Sequence, residues 1–452
     1  MMHVFSQMRF IAKFTKTYTC EREKIALKQS FFRYVCSGFN SCGCKSFVLA
    51  LCSLSAFQSV YGMFDSRYGV PPITERPYFR EYRKYHFGVE PFLMIAADSY
   101  GICDDVGLYD IHGRYDLFFL DEALRLAQNT PSLMRPDWSN VSMMPYCLDG
   151  TFSAQGINFV GRAYLFDFLS IGFKVAYLHA QAAVQYLFDD HSNLHLQGPG
   201  DAYDLRELKN RLHNIYCLKP PVWSQNMFSD MDLYARLGFM REYWQKFRKL
   251  DVGFQAGVLV PFAKQKIKNQ PLSVPLGGNK AFGMYMMLDI DAILKEDVHA
   301  GCWFRMQKRI SKTYDMRLPI YREPADMGVL EGCLNVSPGV TFGVCPYVAI
   351  EHMRGGFGCY AAYTGIFHMT DTFCDRRADT SKKINFEHIC DASNWSSDFI
   401  TIGALYDTAS ECDDESTRKP IFGLFWDIPI GFIGGKHAFK TYGISLRGEL
   451  QF

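Results

Sequence analysis

No run of 18 or more apolar residues occurs anywhere in the 452-residue chain, so a bundle of membrane-crossing helices is excluded. An excess of charge is missing too. Against 48 Lys and Arg stand 47 Asp and Glu, a formal net charge of +1, which gives no electrostatic footprint for nucleic acid or another polyanion. The spaced cysteine pairs of a zinc site are absent, Cys42-Gly-Cys44 being the nearest approach. Neither Gly277-Gly278 nor Gly355-Gly356 is followed by the helix start and lysine of a phosphate cradle, so both read as turns. No metal and no cofactor is expected.

What the chain does have is aromatic residues, 15% of the total with 26 Tyr and 38 Phe, beside 36 Gly. Mean hydropathy is only -0.09. Two classes fit: a soluble all-β protein, and a transmembrane barrel in which only every second strand residue meets lipid.

One sustained apolar segment, Phe47 to Phe57, follows Lys45 and ends before Val60-Tyr61-Gly62. This is the form of a secretory h-region with cleavage after Gly62. A basic stretch precedes it (Arg9, Lys13, Lys16, Arg22, Lys24, Lys28 and Arg33 against Glu21 and Glu23), so either the n-region is extended or translation starts further on. A short buried core segment is the competing reading. The expected organisation is a leader over 1–62, a periplasmic lead-in over 63–86 and a β-barrel over 87–452. Five cysteines fall in the leader and ten beyond it. An even number in an exported chain permits disulfides, and Cys374 with Cys390, sharing one loop, is the expected pair.

The cleanest pattern closes the chain. From Lys440 the sequence reads KTYGISLRGELQF. Tyr442, Ile444, Leu446, Gly448, Leu450 and Phe452 alternate with Thr441, Gly443, Ser445, Arg447, Glu449 and Gln451, the period of 2 of a strand between an apolar and a polar medium. It is long enough to cross a bilayer at a tilt, which takes about 9 to 11 residues. Tyr442, Ile444, Leu446, Leu450 and the terminal Phe452 resemble the C-terminal signal of Gram-negative outer-membrane β-barrel proteins. That resemblance implies a bacterial outer-membrane location, an antiparallel up-and-down barrel, and recognition by the barrel-assembly machinery.

The same template finds further strands at about 421–432, 396–408, 357–370, 334–352, 297–308, 280–290, 251–263, 231–247, 172–187, 152–166 and 87–97, roughly twelve in all, with 10 to 16 allowed. Bacterial barrels alternate short periplasmic turns with long outer loops. With Phe452 in the periplasm, segments 167–171, 248–250, 291–296 and 353–356 become turns, and 98–151, 188–230, 264–279, 309–333 and 371–395 become outer loops. Only 409–420, long for a turn, and the Gly434-Gly435 hairpin, short for a loop, bend the rule. Nothing in a soluble sandwich requires this order. Within the loops, Asp116 to Gln128 and Asp204 to His213 have helical spacing. The first loop is placed either in the lumen as a plug or over the outer rim as a cap.

The strand phases turn Glu90, Arg162, Lys174, Arg236, Asp289, Arg305, Glu351, Asp427, Arg447 and Glu449 away from lipid. Five basic and five acidic groups favour neither anions nor cations. They either line a narrow pore or pair across the barrel and close it.

Twelve-stranded outer-membrane phospholipases set His and Ser two positions apart on one strand, and none of the 12 His here has that neighbour. His191-Ser192-Asn193, Asp189-Asp190-His191 and the group Glu387, His388 and Asp391 read as polar loop surface. No enzyme activity is expected. The resemblance therefore implies a porin-like channel passing small solutes by diffusion through a loop-restricted lumen. The alternative is a structural or surface-interaction barrel with a plugged lumen. Lipid and small solutes are the expected partners, nucleic acid is not, and assembly into identical copies stays open.

Overall fold

The computed structural model describes residues 64–69, 84–101, 105–138, 141–188, 199–243, 248–295, 298–351, 353–408 and 420–451. The expected leader, the acidic His191 turn and Phe452 lie outside them. Twelve strands form the wall: β1 Tyr85–Ala96, β2 Pro145–Phe166, β3 Leu169–Phe188, β4 Met231–Glu242, β5 Lys249–Val260 and β6 Gly283–Lys295, then β7 Val298–Arg309, β8 Val340–Ile350, β9 Phe357–His368, β10 Trp395–Asp407, β11 Ile421–Pro429 and β12 Tyr442–Gln451. Each pairs antiparallel with the next in sequence, and β12 pairs with β1, Phe87 opposite Leu450 and Ile95 opposite Tyr442. The sheet therefore closes without an edge.

What drives this closure is an inverted burial pattern. Along β5, Asp251 and Gln255 are buried while Val252, Phe254 and Val258 are exposed. On β6, Asp289 and Asp291 turn inward, and Met284, Met286, Leu288 and Ile290 stand outside. A soluble barrel would do the opposite. Phe422, Leu424 and Trp426 on β11 and Tyr442, Leu446 and Leu450 on β12 complete the outward belt. Exposed aromatic side chains mark its lower rim: Phe166 and Phe168 stack with ring centroids 5.6 Å apart, Phe239 is exposed on β4, and Phe357 meets Tyr406 across β9 and β10. An outward apolar band with aromatic girdles and a polar interior is the surface of a transmembrane barrel.

Connections at one end, over 97–144, 189–230, 261–282, 310–339, 369–394 and 430–441, are long, and those at the other, over 167–168, 243–248, 296–297 and 351–356, are short, with 408–420 the exception. The long-loop end is the outer one. There β2 and β3, 22 and 20 residues long, rise well above the rest of the wall and are joined by the strand Val222–Phe228. Helix α1 (Leu117–Gln128) and helix α2 (Pro199–Ile215) pack on the inner face of this extension. Asp116 caps α1 by accepting from Phe118 N–H at 2.8 Å, and Asn129 ends it in the left-handed region. Leu117, Leu120 and Leu124 meet Leu205, Leu208 and Leu212 over Phe152, Leu178 and Val184. The first long loop is thus part of a cap with its own apolar core, not a plug.

A second outer sheet of Lys312–Leu318, Leu330–Ser337 and Thr372–Asp375 packs with α3 (Phe386–Ser393). The segment 334–352, expected as one strand, breaks at Pro338-Gly339 because Pro338 offers no N–H and a Cβ on Gly339 would lie 1.9 Å from the Met369 carbonyl oxygen. Cys374 and Cys390 are not joined: both are free thiols, Cys374 on an exposed strand edge and Cys390 turned toward the Asp371 carbonyl.

The belt makes a directional prediction. Leu288→Arg on the lipid face should lower unfolding stability in vesicles by roughly 2–4 kcal/mol. Gln181→Arg, on the exposed part of β3 above the belt, should stay within about 0.5 kcal/mol. Equal effects in urea titrations of the two variants would refute the placement of the bilayer.

Candidate functional site

The inner wall holds its charges in pairs. Arg236 on β4 reaches Asp289 on β6, with Nε at 3.1 Å, and Asp251 on β5 at 3.0 Å. Arg305 on β7 bonds Asp232 at 3.2 Å and Gln307 at 2.8 Å and lies 3.5 Å from the centre of the Tyr285 ring. Arg162 bonds the Tyr234 hydroxyl at 3.3 Å, and Lys174 sits over the same ring. On the opposite wall Glu90 accepts from Ser445 at 3.1 Å, and Asp427 accepts from Thr401. Toward the periplasmic end His299 stands 3.3 Å from Glu351, and Glu449 meets both Arg447 and His86. Nine of the ten charged positions singled out from sequence are buried, and Arg447 is half-buried. Tyr442, Leu446 and Leu450 are exposed on the outer face of β12, with Ile444 partly covered.

Alternation along the strands did not point to a second set of residues. Phe64–Gly69, expected in a periplasmic lead-in, lies inside the barrel. Phe64 is fully buried against Trp303, ring centroids 5.9 Å apart, and under the Arg305 guanidinium. It occupies a notch in the wall at Gly343, where a Cβ would come within 1.8 Å of the Phe64 ring. Asp65 receives two bonds from Arg309, at 2.6 and 2.8 Å, while the same guanidinium also holds Asp230 at 2.6 Å. Arg67 donates to the Ala392 carbonyl at 2.7 Å and accepts from Phe439 N–H. The available signals were the acid-aromatic pair Phe64-Asp65 and a glycine inside β8, neither of which carries a period.

Phe64, Trp303 and Arg305 have no exposed surface, Arg236 keeps 1% and Lys174 2%. A guanidinium with no exposure does not border open water, so Arg305 is packed in among Phe64, Tyr285 and Gln307 at this level. Above it a chamber of about 240 Å³ opens between the N-terminal segment and the outer loops. Tyr68 bonds His112 at 3.1 Å, His112 meets Asp326 at 2.9 Å, and Lys266 reaches the same carboxylate. Three loops and the N-terminal segment thus meet on one polar cluster. Met316, Phe373 and Trp395 supply apolar lining. Among the described residues no group of His, Cys, Asp and Glu is arranged to hold a metal.

Burial opposes the charge of Asp326, but His112 and Lys266 outweigh it and hold the carboxyl far below the usual range. Burial, reinforced by the Lys266 cation, pushes His112 down to about 4 against the pull of Asp326. Partial burial in the cap beside Tyr115, reinforced by the Lys209 cation, pushes the half-buried His213 down to about 4 as well.

The closed even-numbered barrel, its apolar belt and its long-loop end decide the class. The chain is a bacterial outer-membrane β-barrel. No family model matches it, and no curated protein sequence does. Among solved structures it is similar to an outer membrane channel from Pseudomonas putida F1, at 9% identity and a TM-score of 0.48 over 84% of this chain and 100% of that one. It is also similar to a toluene transporter from Ralstonia pickettii, at 9% identity and a TM-score of 0.29 over 82% and 90%. A FadL homologue from Pseudomonas aeruginosa gives 8% identity and 0.30 over 82% and 90%. These are similarities of barrel architecture, too distant to carry a solute or a mechanism across to this chain.

Acid should loosen the outer end of this barrel. His112 and His213 are held neutral, with folded-state values below the ordinary 6.5. Their contribution is therefore complete above about pH 6.5 and is lost as pH falls through about 4, by up to about 3 kcal/mol each. Protection factors of the amides at 105–138 and 199–216, referred to the intrinsic exchange rate at each pH, should fall between pH 7 and pH 4 while those of β4 to β7 hold. Unchanged loop protection over that range would refute it.

Proposed function

We propose that the protein is a small-solute channel of the outer membrane, shut in this conformation, with Phe64–Gly69 as the stopper and the chamber above it as the solute's point of entry. The observation that carries this reading is the seat of Phe64: a notch cut by Gly343, a cation overhead, and a second latch at Arg309. The segment enters the lumen without hydrogen-bonding as a strand of the wall. Its withdrawal leaves all twelve strands paired. Nothing selects strongly by charge, because Arg236, Arg305 and Arg309 are each matched by acids brought in from other elements. Passage would be diffusion past fixed, compensated charges, without a cofactor.

The filled lumen and the large cap favour a second reading, a structural or surface-binding barrel that never opens. Entry into the membrane through the assembly machinery, reading Tyr442, Ile444, Leu446, Leu450 and Phe452, belongs to both readings, as does association of identical copies.

Planar-bilayer recordings distinguish the two. The wild-type chain should give rare, brief openings, and Phe64→Ala with Asp65→Asn should raise open probability at least tenfold with discrete steps. A double variant that keeps the heat-modifiable gel migration of the folded barrel, yet stays silent, would eliminate the channel and leave the structural barrel.

A further inference from the structure

The outer face of the β2–β3 extension changes character within one strand step. Up to the row Ile157, Tyr177 and Phe228 it is lipid belt, with the Tyr177 and Phe228 rings 5.0 Å apart. The next row is Gln155, His179 and Asn226, followed by Ser153, Gln181 and Ser224, then Thr151, Ala183 and Val222, and finally Asp149 and Gln185. Between Gln155 and Asp149 the face rises roughly 20 Å and is roughly 10 Å wide. The rows are tied sideways: His179 to Asn226 at 2.6 Å, His179 to Ser224 at 3.4 Å, and Gln181 to Ser153 at 2.9 Å. Asn226, Gln181, Ser153 and Ser224 each use one of the several bonds available to an amide or hydroxyl in this way, so the surface is both pre-ordered and still able to bond outward.

We propose that this face binds the saccharide part of an outer-leaflet glycolipid. Three observations commit it to that occupant. The face continues the bilayer belt on the same side of the same strands, so it borders whatever stands directly above the acyl chains. It is flat and offers amides and hydroxyls in rows, the groups that match sugar hydroxyls. No Lys or Arg stands in these rows and Asp149 is their one carboxylate, which suits neutral sugars and disfavours phosphates, whose recognition calls for cationic forks. The inference is independent of whether the lumen opens.

The test uses the full-length barrel in nanodiscs of phosphatidylcholine, alone or supplemented with lipopolysaccharide or with phosphatidylglycerol. Lipopolysaccharide should raise the unfolding temperature of the wild type by several degrees, and Gln155→Ala with Gln181→Ala and Asn226→Ala should remove at least half of that shift. Folding of the variant is checked by heat-modifiable migration, and Gln155→Ala alone, which breaks none of the sideways bonds given above, serves if the triple variant fails. An equal shift in wild type and variant overturns the proposal, as does a full shift with phosphatidylglycerol, which would assign the effect to charge. A mass measurement in which the substitutions turn a dimer into a monomer would give the face to a second copy and likewise overturn it.

Discussion

The deepest charges of the inner wall, Arg236 and Arg305, find their partners on other strands. Arg236 lies on β4 and its acids on β5 and β6; Arg305 lies on β7 and its acid on β4. Removing one member of such a buried pair costs about 3–5 kcal/mol, because the survivor is left in low dielectric. A slip of one residue in any of these strands would turn its charges into lipid and its Phe and Leu into the lumen. The pairs therefore fix register, and fixed register carries β12 round to meet β1. The same pairs hold Arg236 and Arg305 against the wall, each with no more than 1% of its surface exposed.

Outside the wall the molecule solves a different problem. The extension of β2 and β3 leaves the bilayer with one face toward water and one toward apolar helices, so its pattern reverts to that of an ordinary half-buried sheet: Leu148, Phe152, Ala180 and Val184 turn inward, and Gln155, Gln181 and Gln185 outward. Interior polarity thus switches along one continuous strand, from Lys174 below to Leu178 above. Medium, and not local propensity, decides which residues face where.

Much of this was legible in the sequence because strand alternation is a local signal. The twelve segments and the two helices in the outer loops follow from period and phase, and the loop order gives each end its side. Long-range packing is not local. That Phe64 fits a notch at Gly343, 279 positions away by their numbering, leaves no trace in either neighbourhood. The first loop had two allowed places, and the choice of cap depends on how far β2 and β3 overshoot, which strand periodicity shows only faintly beyond the belt. Cys374 and Cys390 share a loop, yet the strand and helix that carry them point them apart.

A stopper of the kind proposed above has to be held firmly enough to close the lumen and loosely enough to leave it. Burying a phenylalanine contributes about 1.5–3 kcal/mol, which alone permits brief excursions. The charged latch matters more, since a buried cation left behind would make departure prohibitive. Arg309 avoids that penalty. Asp230 holds it on the side away from Asp65 and is itself fixed by the backbone N–H groups of Ala263 and Gly278. When Asp65 departs, the guanidinium keeps one carboxylate and its bond to the Ala281 carbonyl. A permanent plug would need no such spare partner, so Asp230 favours the proposed gate over a filled barrel.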